Sequence, residues 1–326
     1  MGALVLADRV RGRRFAAATL LIVLLMPGCG GAVAPRAFST RPAAFPAPLR
    51  PPAAVFLIMM ENHSWSSIEG NRSAPYINRL LRDGALGDRY FTPPGNHPSL
   101  PNYLWLEAGT NFGIADDAAP AAHRLRTGAH LTTLLSRAGI SWMAYEEGID
   151  GKSCPISDAG SYATRHNPMV YFTDVTGNLN PRSRYCIAHE RPFTELARDL
   201  RSKRVARYNF ITPNVCDDMH DACAPVGDAI RQGDLWLSHA VPALEASQAY
   251  RAGGVIFIAW DEGDGDSDGP LGLIALSPLA KRGYVSHTTF THSSLLRTLE
   301  EILGVRRLLG GARSSNDLRN LFKRLP

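Results

Sequence analysis

The chain lacks internal repeats, and no segment after the first 30 residues is apolar enough for long enough to cross a bilayer. Those absences exclude solenoids and polytopic membrane proteins. Cysteine is scarce, with five in 326 residues, and no pair has the two-residue spacing of a zinc ribbon, which argues against a thiolate metal site. A nucleic-acid signature is also missing. The formal net charge is +5, but Arg9, Arg11, Arg13 and Arg14 supply much of it within the leader. The densest cluster that remains is Arg198, Arg201, Lys203, Arg204 and Arg207. It reads as a solvated helix face, with attraction of anionic substrates as the alternative, and no nucleic-acid partner is expected.

What is present at the amino terminus is the layout of an export signal. Four arginines precede an uncharged stretch from Phe15 to Met26, and Pro27-Gly28-Cys29 follows. The apolar core is about a dozen residues, against the roughly 20 that a spanning helix needs. Leu25 to Cys29 resembles a lipoprotein processing site with Cys29 as the acylated residue and membrane tether, although Pro27 departs from the usual residue there. Soluble secretion or an uncleaved anchor is the alternative. In each case the chain is expected outside the cytoplasm, associated with the cell envelope or secreted. Residues 30–52 are broken by Pro35, Pro42, Pro46, Pro48, Pro51 and Pro52 and read as a tether. Residues 53–326 remain as a single domain. Its four cysteines, Cys154, Cys186, Cys216 and Cys223, suit two disulfides in an oxidising space. Three pairings are open, and proximity favours Cys154 with Cys186 and Cys216 with Cys223.

Strands and helices alternate along this body, which predicts an α/β fold with a parallel sheet. Strands are expected at 53–60, 140–145, 205–212, 254–260 and 271–277. Helices are expected at 75–82, 130–137, 228–251 and 292–303. The segment 150–191 has little periodicity and two cysteines, so it reads as a stapled excursion near the site.

Chemistry-bearing residues gather where apolar strands stop. The run Val55 to Met60 ends at Glu61-Asn62-His63-Ser64, and Val255 to Trp260 runs into Asp261-Glu262-Gly263-Asp264. Open α/β sheets place their sites at such carboxyl ends, and two strand ends bearing carboxylates can share one metal ion. A second group is His97-Pro98-Ser99-Leu100-Pro101-Asn102-Tyr103. Pro101 suits the first turn of a helix, so Ser99 is either a cap or a hydroxyl beside free amides that receive phosphate. A third group, Asn214 to Asp221, packs Asp217, Asp218, His220 and Asp221 after another strand, where a cation or solvent must offset their repulsion. The last holds His287 and His292, the latter a cap or a ligand at the start of a helix.

These blocks, in this order, resemble the bacterial and fungal phosphoesterase family that contains acid phosphatases and phospholipase C type enzymes, a branch of the alkaline-phosphatase-like superfamily. The matching residues are Glu61 to Ser64, His97 to Tyr103, Pro213 to Asp221, Trp260 to Gly263, and Thr291 to Ser293. The resemblance implies a mostly parallel sheet with helices on both faces. It also implies a divalent metal (Zn, Ca, Mg or Mn) on Glu61, Asn62, Asp261 and Glu262, with Asp217, Asp218 or Asp221 as further ligands or donors, Asp217 and Asp221 being the preferred ligands. Ser99 would be the nucleophile, and His97, His220 and His292 would serve as ligands or as donors to the phosphoryl oxygens. The chain lacks the Gly-x-Ser-x-Gly elbow of a serine hydrolase around Ser99 and the Cys/Ser-x-Pro-x-Arg signature of sulfatases. It shows no extra carboxyl-terminal lipid-binding module. The expected activity is hydrolysis of a phosphate ester, a monoester ahead of a phospholipase C type diester. A tethered binding protein without turnover is the alternative of another class.

Overall fold

Val55–Met60 carries six apolar residues without interruption, and a strand buried on both faces reads in this way. It forms β1, fully excluded from solvent. Burying each such side chain is worth about 1.5–3 kcal/mol before chain entropy is charged against it. The computed structural model describes residues 54–326. The export signal at 1–29, Cys29 and the tether at 30–52 lie outside the described residues.

The other strands, in chain order, are β2 (Ala85–Gly87), β3 (Tyr90–Phe91), β4 (Trp142–Glu146), β5 (Glu190–Pro192), β6 (Tyr208–Thr212), β7 (Val255–Trp260), β8 (Leu273–Leu276), β9 (Tyr284–Ser286) and β10 (Phe290–Thr291). Eight of them form one sheet in the order β5-β4-β6-β1-β7-β8-β2-β9, and β3 pairs with β10 separately. Only β8 runs against its neighbours, so the sheet is mostly parallel and is flanked by helices. The expected strands lie at the centre. Strands β2, β3, β9 and β10 have two or three residues each, too short for a periodicity to show. The helix expected over 228–251 is two, Ala229–Glu245 and Gln248–Arg251, because the Ser247 hydroxyl caps the second by accepting from the Tyr250 amide.

Register places the site. Met60 lies opposite Trp260 in the parallel β1–β7 pair, so Glu61 and Asp261 leave the sheet side by side. The Asp261 amide donates to Met60 O at 3.1 Å, and the Glu61 amide donates to Asp218 O at 2.8 Å. Three loops therefore meet at the carboxyl edge of the sheet.

The disulfides are Cys154–Cys186 and Cys216–Cys223, the pairing that proximity favoured. The first staples the irregular 150–191 excursion, and the second closes the loop after β6. Among the described residues no helix is long and apolar enough to cross a membrane.

Candidate functional site

Glu61 is fully buried at the end of β1. The next residue, Asn62, turns the chain with φ at +47°, a left-handed conformation that asparagine tolerates better than most residues. This turn aims the Asn62 amide at Asp261 Oδ1, 3.1 Å away. Ser64 and Asp264 then lace the two loops together, the Ser64 amide donating to Asp264 Oδ2 at 3.1 Å.

Ser99 opens the helix Ser99–Ala108 and is buried. Its hydroxyl donates to Glu61 Oε2 at 3.0 Å, and the Tyr103 hydroxyl, one turn on, donates to Glu61 Oε1. The expectation of free amides at this helix start needs correction. The Leu100 amide already donates to Asp117 Oδ1 at 2.9 Å, and Pro101 has no amide hydrogen to offer. Donors for a phosphate must come largely from side chains.

His97 bridges two acids. Nδ1 donates to Glu262 Oε2 at 2.6 Å and Nε2 to Asp268 Oδ1 at 2.8 Å. Burial alone would lower its pKa, but the hydrogen bonds to Glu262 and Asp268 more than offset that and raise it. Glu262 is further fixed by Asn102 Nδ2 at 3.2 Å. His292 opens its helix as expected but acts neither as its cap nor as a free ligand. It is fully buried with both ring nitrogens taken, Nε2 donating to Asp261 O at 2.6 Å and Nδ1 accepting from the Tyr90 hydroxyl at 2.7 Å. Burial pushes its pKa down to about 3, so it braces the Asp261 main chain as a neutral ring. The helix cap is Thr291, in a capping box with Ser294.

Of the three acids in the loop after β6, the structure turns Asp218 inward rather than Asp217 or Asp221. Asp217 is held by Asn214 Nδ2 at 2.9 Å and Gln232 Nε2 at 3.0 Å. Asp221 is exposed and accepts from His220 Nδ1 at 2.7 Å. Asp218 is fully buried and accepts from His166 Nδ1 at 3.0 Å. His166, absent from the sequence-level candidates, comes from the stapled excursion. Burial, then Arg165 and His220, lower its pKa well below the usual imidazole value. Neutral, with its proton on Nδ1, the ring turns a bare Nε2 lone pair toward Glu61 Oε2 at 3.5 Å. Arg165 beside it donates to His220 Nε2 at 3.3 Å and lies 3.8 Å from Asp117.

The cluster is thus rich in acceptors and poor in donors. Burial, together with the charges of Asp261 and Asp218, holds the Glu61 carboxyl well above the ordinary range, and burial pushes Asp261 to about 6. Two buried atoms have no hydrogen-bond partner, Asp261 Oδ2 and His166 Nε2. The Asn62 side-chain amide lies within 2.8 Å of Glu61 Oε2 and 3.3 Å of Asp261 Oδ1. With its nitrogen turned inward it satisfies both. With its oxygen turned inward three acceptors converge, and a proton or a cation must lie between them. The donor set of Glu61, Asn62 and Asp261, with His166 and His220 at its edge, fits a divalent metal. Glu61, His166 and His220 offer ligand atoms within 4.8 Å of one another, as do His97, Glu262 and Asp266. Oxygen donors suit Mg, Ca or Mn, and the imidazoles extend the range to Zn.

The Phosphoesterase family profile matches residues 70–306. A phosphatidylinositol-3-phosphatase of Mycobacterium tuberculosis is 32% identical over 255 residues, covering 78% of this chain and 77% of its own. A phosphate-repressible acid phosphatase of Penicillium chrysogenum is 28% identical over 241 residues, 70% of this chain, which spans about half (54%) of that relative. A solved structure of an alkaline phosphatase superfamily protein from Vibrio parahaemolyticus superposes with a TM-score of 0.53 at 10% identity, covering 83% of this chain and 72% of that one.

Proposed function

The chain belongs to the Phosphoesterase family and is a phosphoric ester hydrolase, and from that premise we propose that it is an exported, metal-dependent phosphomonoesterase in which Ser99 attacks phosphorus. One observation carries the reading: the Ser99 hydroxyl lies 3.0 Å from Glu61 Oε2, in the pocket where Asp261 Oδ2 and His166 Nε2 are left without partners.

In this reading Glu61, Asn62 and Asp261 hold the metal, with Glu262 kept at its edge by His97 and Asn102. When bound, the cation lowers the serine pKa and offsets charge on the transferred group. Glu61 Oε2 orients the Ser99 hydroxyl and accepts its proton as the Oγ–P bond forms; the P–O ester bond breaks and the leaving oxygen takes a proton from solvent. Arg165, held at the rim by His220 Nε2 and by Asp117, meets phosphoryl oxygens. Water then cleaves the phosphoserine, returning the serine hydroxyl and releasing phosphate. The names of both relatives are those of phosphatases, which tilts the reading toward monoesters and away from phospholipase C type diesters. The leader and the two disulfides support export.

The test is hydrolysis of a chromogenic phosphomonoester beside a phosphocholine diester, before and after chelation, with an acid quench to trap phosphoenzyme. Chelator-sensitive monoester cleavage with label on Ser99 is expected. Preference for the diester would replace the phosphatase reading with the phospholipase one. No cleavage of either with any divalent metal would favour the non-catalytic tethered binder.

A further inference from the structure

The cations Arg201, Lys203, Arg204 and Arg207 take no part in this chemistry. They precede β6, which runs from Tyr208 to Thr212 and delivers its following loop to the site. The cluster therefore lies at the amino edge of the sheet, and the catalytic side chains at the carboxyl edge. With about 3.3 Å per residue, a six-residue strand separates the two edges by roughly 20 Å. Arg251 ends the short helix before β7 and joins the same edge. So does the point where the chain enters the sheet. The Val55 amide donates to Arg207 O at 2.8 Å and the Val255 amide to Ala54 O at 3.0 Å.

Neighbouring acids do not neutralise this edge. Asp199 accepts from Tyr145 and Arg198, Glu195 from Arg191 and Arg198, and Glu245 from Tyr250. Arg201, Lys203 and Arg204 are exposed, and Arg207 Nε and Nη2 are buried without hydrogen-bond partners. A cavity of about 530 Å³ opens beside Arg201 and Lys203, with Ala197, Leu200 and Ala243 as apolar lining and Arg251 completing its cationic lining. An apolar lining beside a cationic one is complementary to an amphiphile with an anionic head.

We propose that this amino edge docks on a bilayer surface that carries anionic phospholipid, with lipid phosphates meeting the cations and the apolar lining covered by acyl chain. Bound in this way, the molecule keeps its catalytic edge facing away from that bilayer. Each Lys or Arg brought to such a surface strengthens binding about fivefold, so three together contribute about 100-fold at low salt, and less as salt screens them.

The experiment is co-sedimentation of the full chain with phosphatidylcholine vesicles, with and without phosphatidylglycerol. The wild type is compared with the triple charge reversal R201E/K203E/R204E, so that any contribution of the leader is common to both. Binding is read without substrate, which separates this inference from the hydrolase reading. The variant is expected to melt like the wild type, to lose at least about 100-fold in partition onto the anionic vesicles because the added acids also repel the surface, and to be unchanged on phosphatidylcholine alone. Equal partition of both proteins onto anionic vesicles would overturn the proposal. If the reversal lowers the melting temperature, the milder R201Q/R204Q pair takes its place, with about a 25-fold loss expected and no loss again contradicting it.

Discussion

Glu107 and Glu61 are both buried carboxylates on the same body, yet their surroundings are opposite. Glu107 Oε1 collects three donors, the Thr132 amide at 2.8 Å, the Thr132 hydroxyl at 2.6 Å and His130 Nδ1 at 2.8 Å, although Oε2 has no partner. His130 also donates from Nε2 to Asp174 at 3.1 Å. Burial would lower its pKa, but the bonds to Asp174 and Glu107 raise it, so the ring brings its own positive charge. Around Glu61 the corresponding ring, His166, is kept neutral and turns a lone pair inward. The first cluster carries its own cation, with Glu107 Oε2 alone left over among these contacts. The second keeps its nearest imidazole neutral, and in the function proposed above a bound cation supplies the charge that His130 supplies to the first.

The sharpest way to break this contrast is Ser99→Ala. It should lower kcat by about 10⁴-fold or more while leaving metal content and melting temperature near wild type. Near-normal rates would remove Ser99 from the role. Asp261→Asn should weaken metal retention and rate together, by about 100-fold, as read by metal analysis and initial rates. Its counterpart, Glu107→Gln, should cost about 1–3 kcal/mol of stability and leave kcat of the folded protein unchanged. A kinetic defect there with intact stability would erase the distinction.

The pH dependence sharpens it further. A histidine whose folded pKa is raised contributes stability that is full below its unfolded value, about 6.5, and is lost as pH rises through the folded value. The His130 network should therefore cause a decline in melting temperature above about pH 6.5, and Glu107→Gln should flatten it. The smallest effect is expected at Asp217, which faces Asn214 and Gln232 rather than the cluster. Asp217→Asn should leave kcat/KM within about twofold, since surface changes away from such features stay near ±0.5 kcal/mol.

The central strands and the donors at their ends were legible in the sequence because an uninterrupted apolar run must be buried and its first polar residues must emerge at an edge. Glu61, Asn62 and Asp261 follow from that logic. His166 does not, since it lies in an aperiodic excursion whose path is set by a disulfide and by packing on Tyr103, with rings stacked at 5.3 Å. The choice of Asp218 over Asp217 and Asp221 depends on a loop turn that composition does not encode. His292 sits where its motif suggested, but its two hydrogen bonds face inward to Tyr90 and Asp261, a matter of helix rotation rather than spacing.

The claim that the Glu61 cluster completes itself with a cation is tested most directly by measuring bound metal per chain and monoester hydrolysis on the same samples. These are wild type, Ser99→Ala and Asp261→Asn, each before and after chelation. The account predicts that wild type and Ser99→Ala carry metal alike, that only wild type turns over, that chelation abolishes this turnover until a divalent metal is returned, and that Asp261→Asn is depleted. Full turnover in metal-free wild type, or undiminished metal in Asp261→Asn, would contradict it.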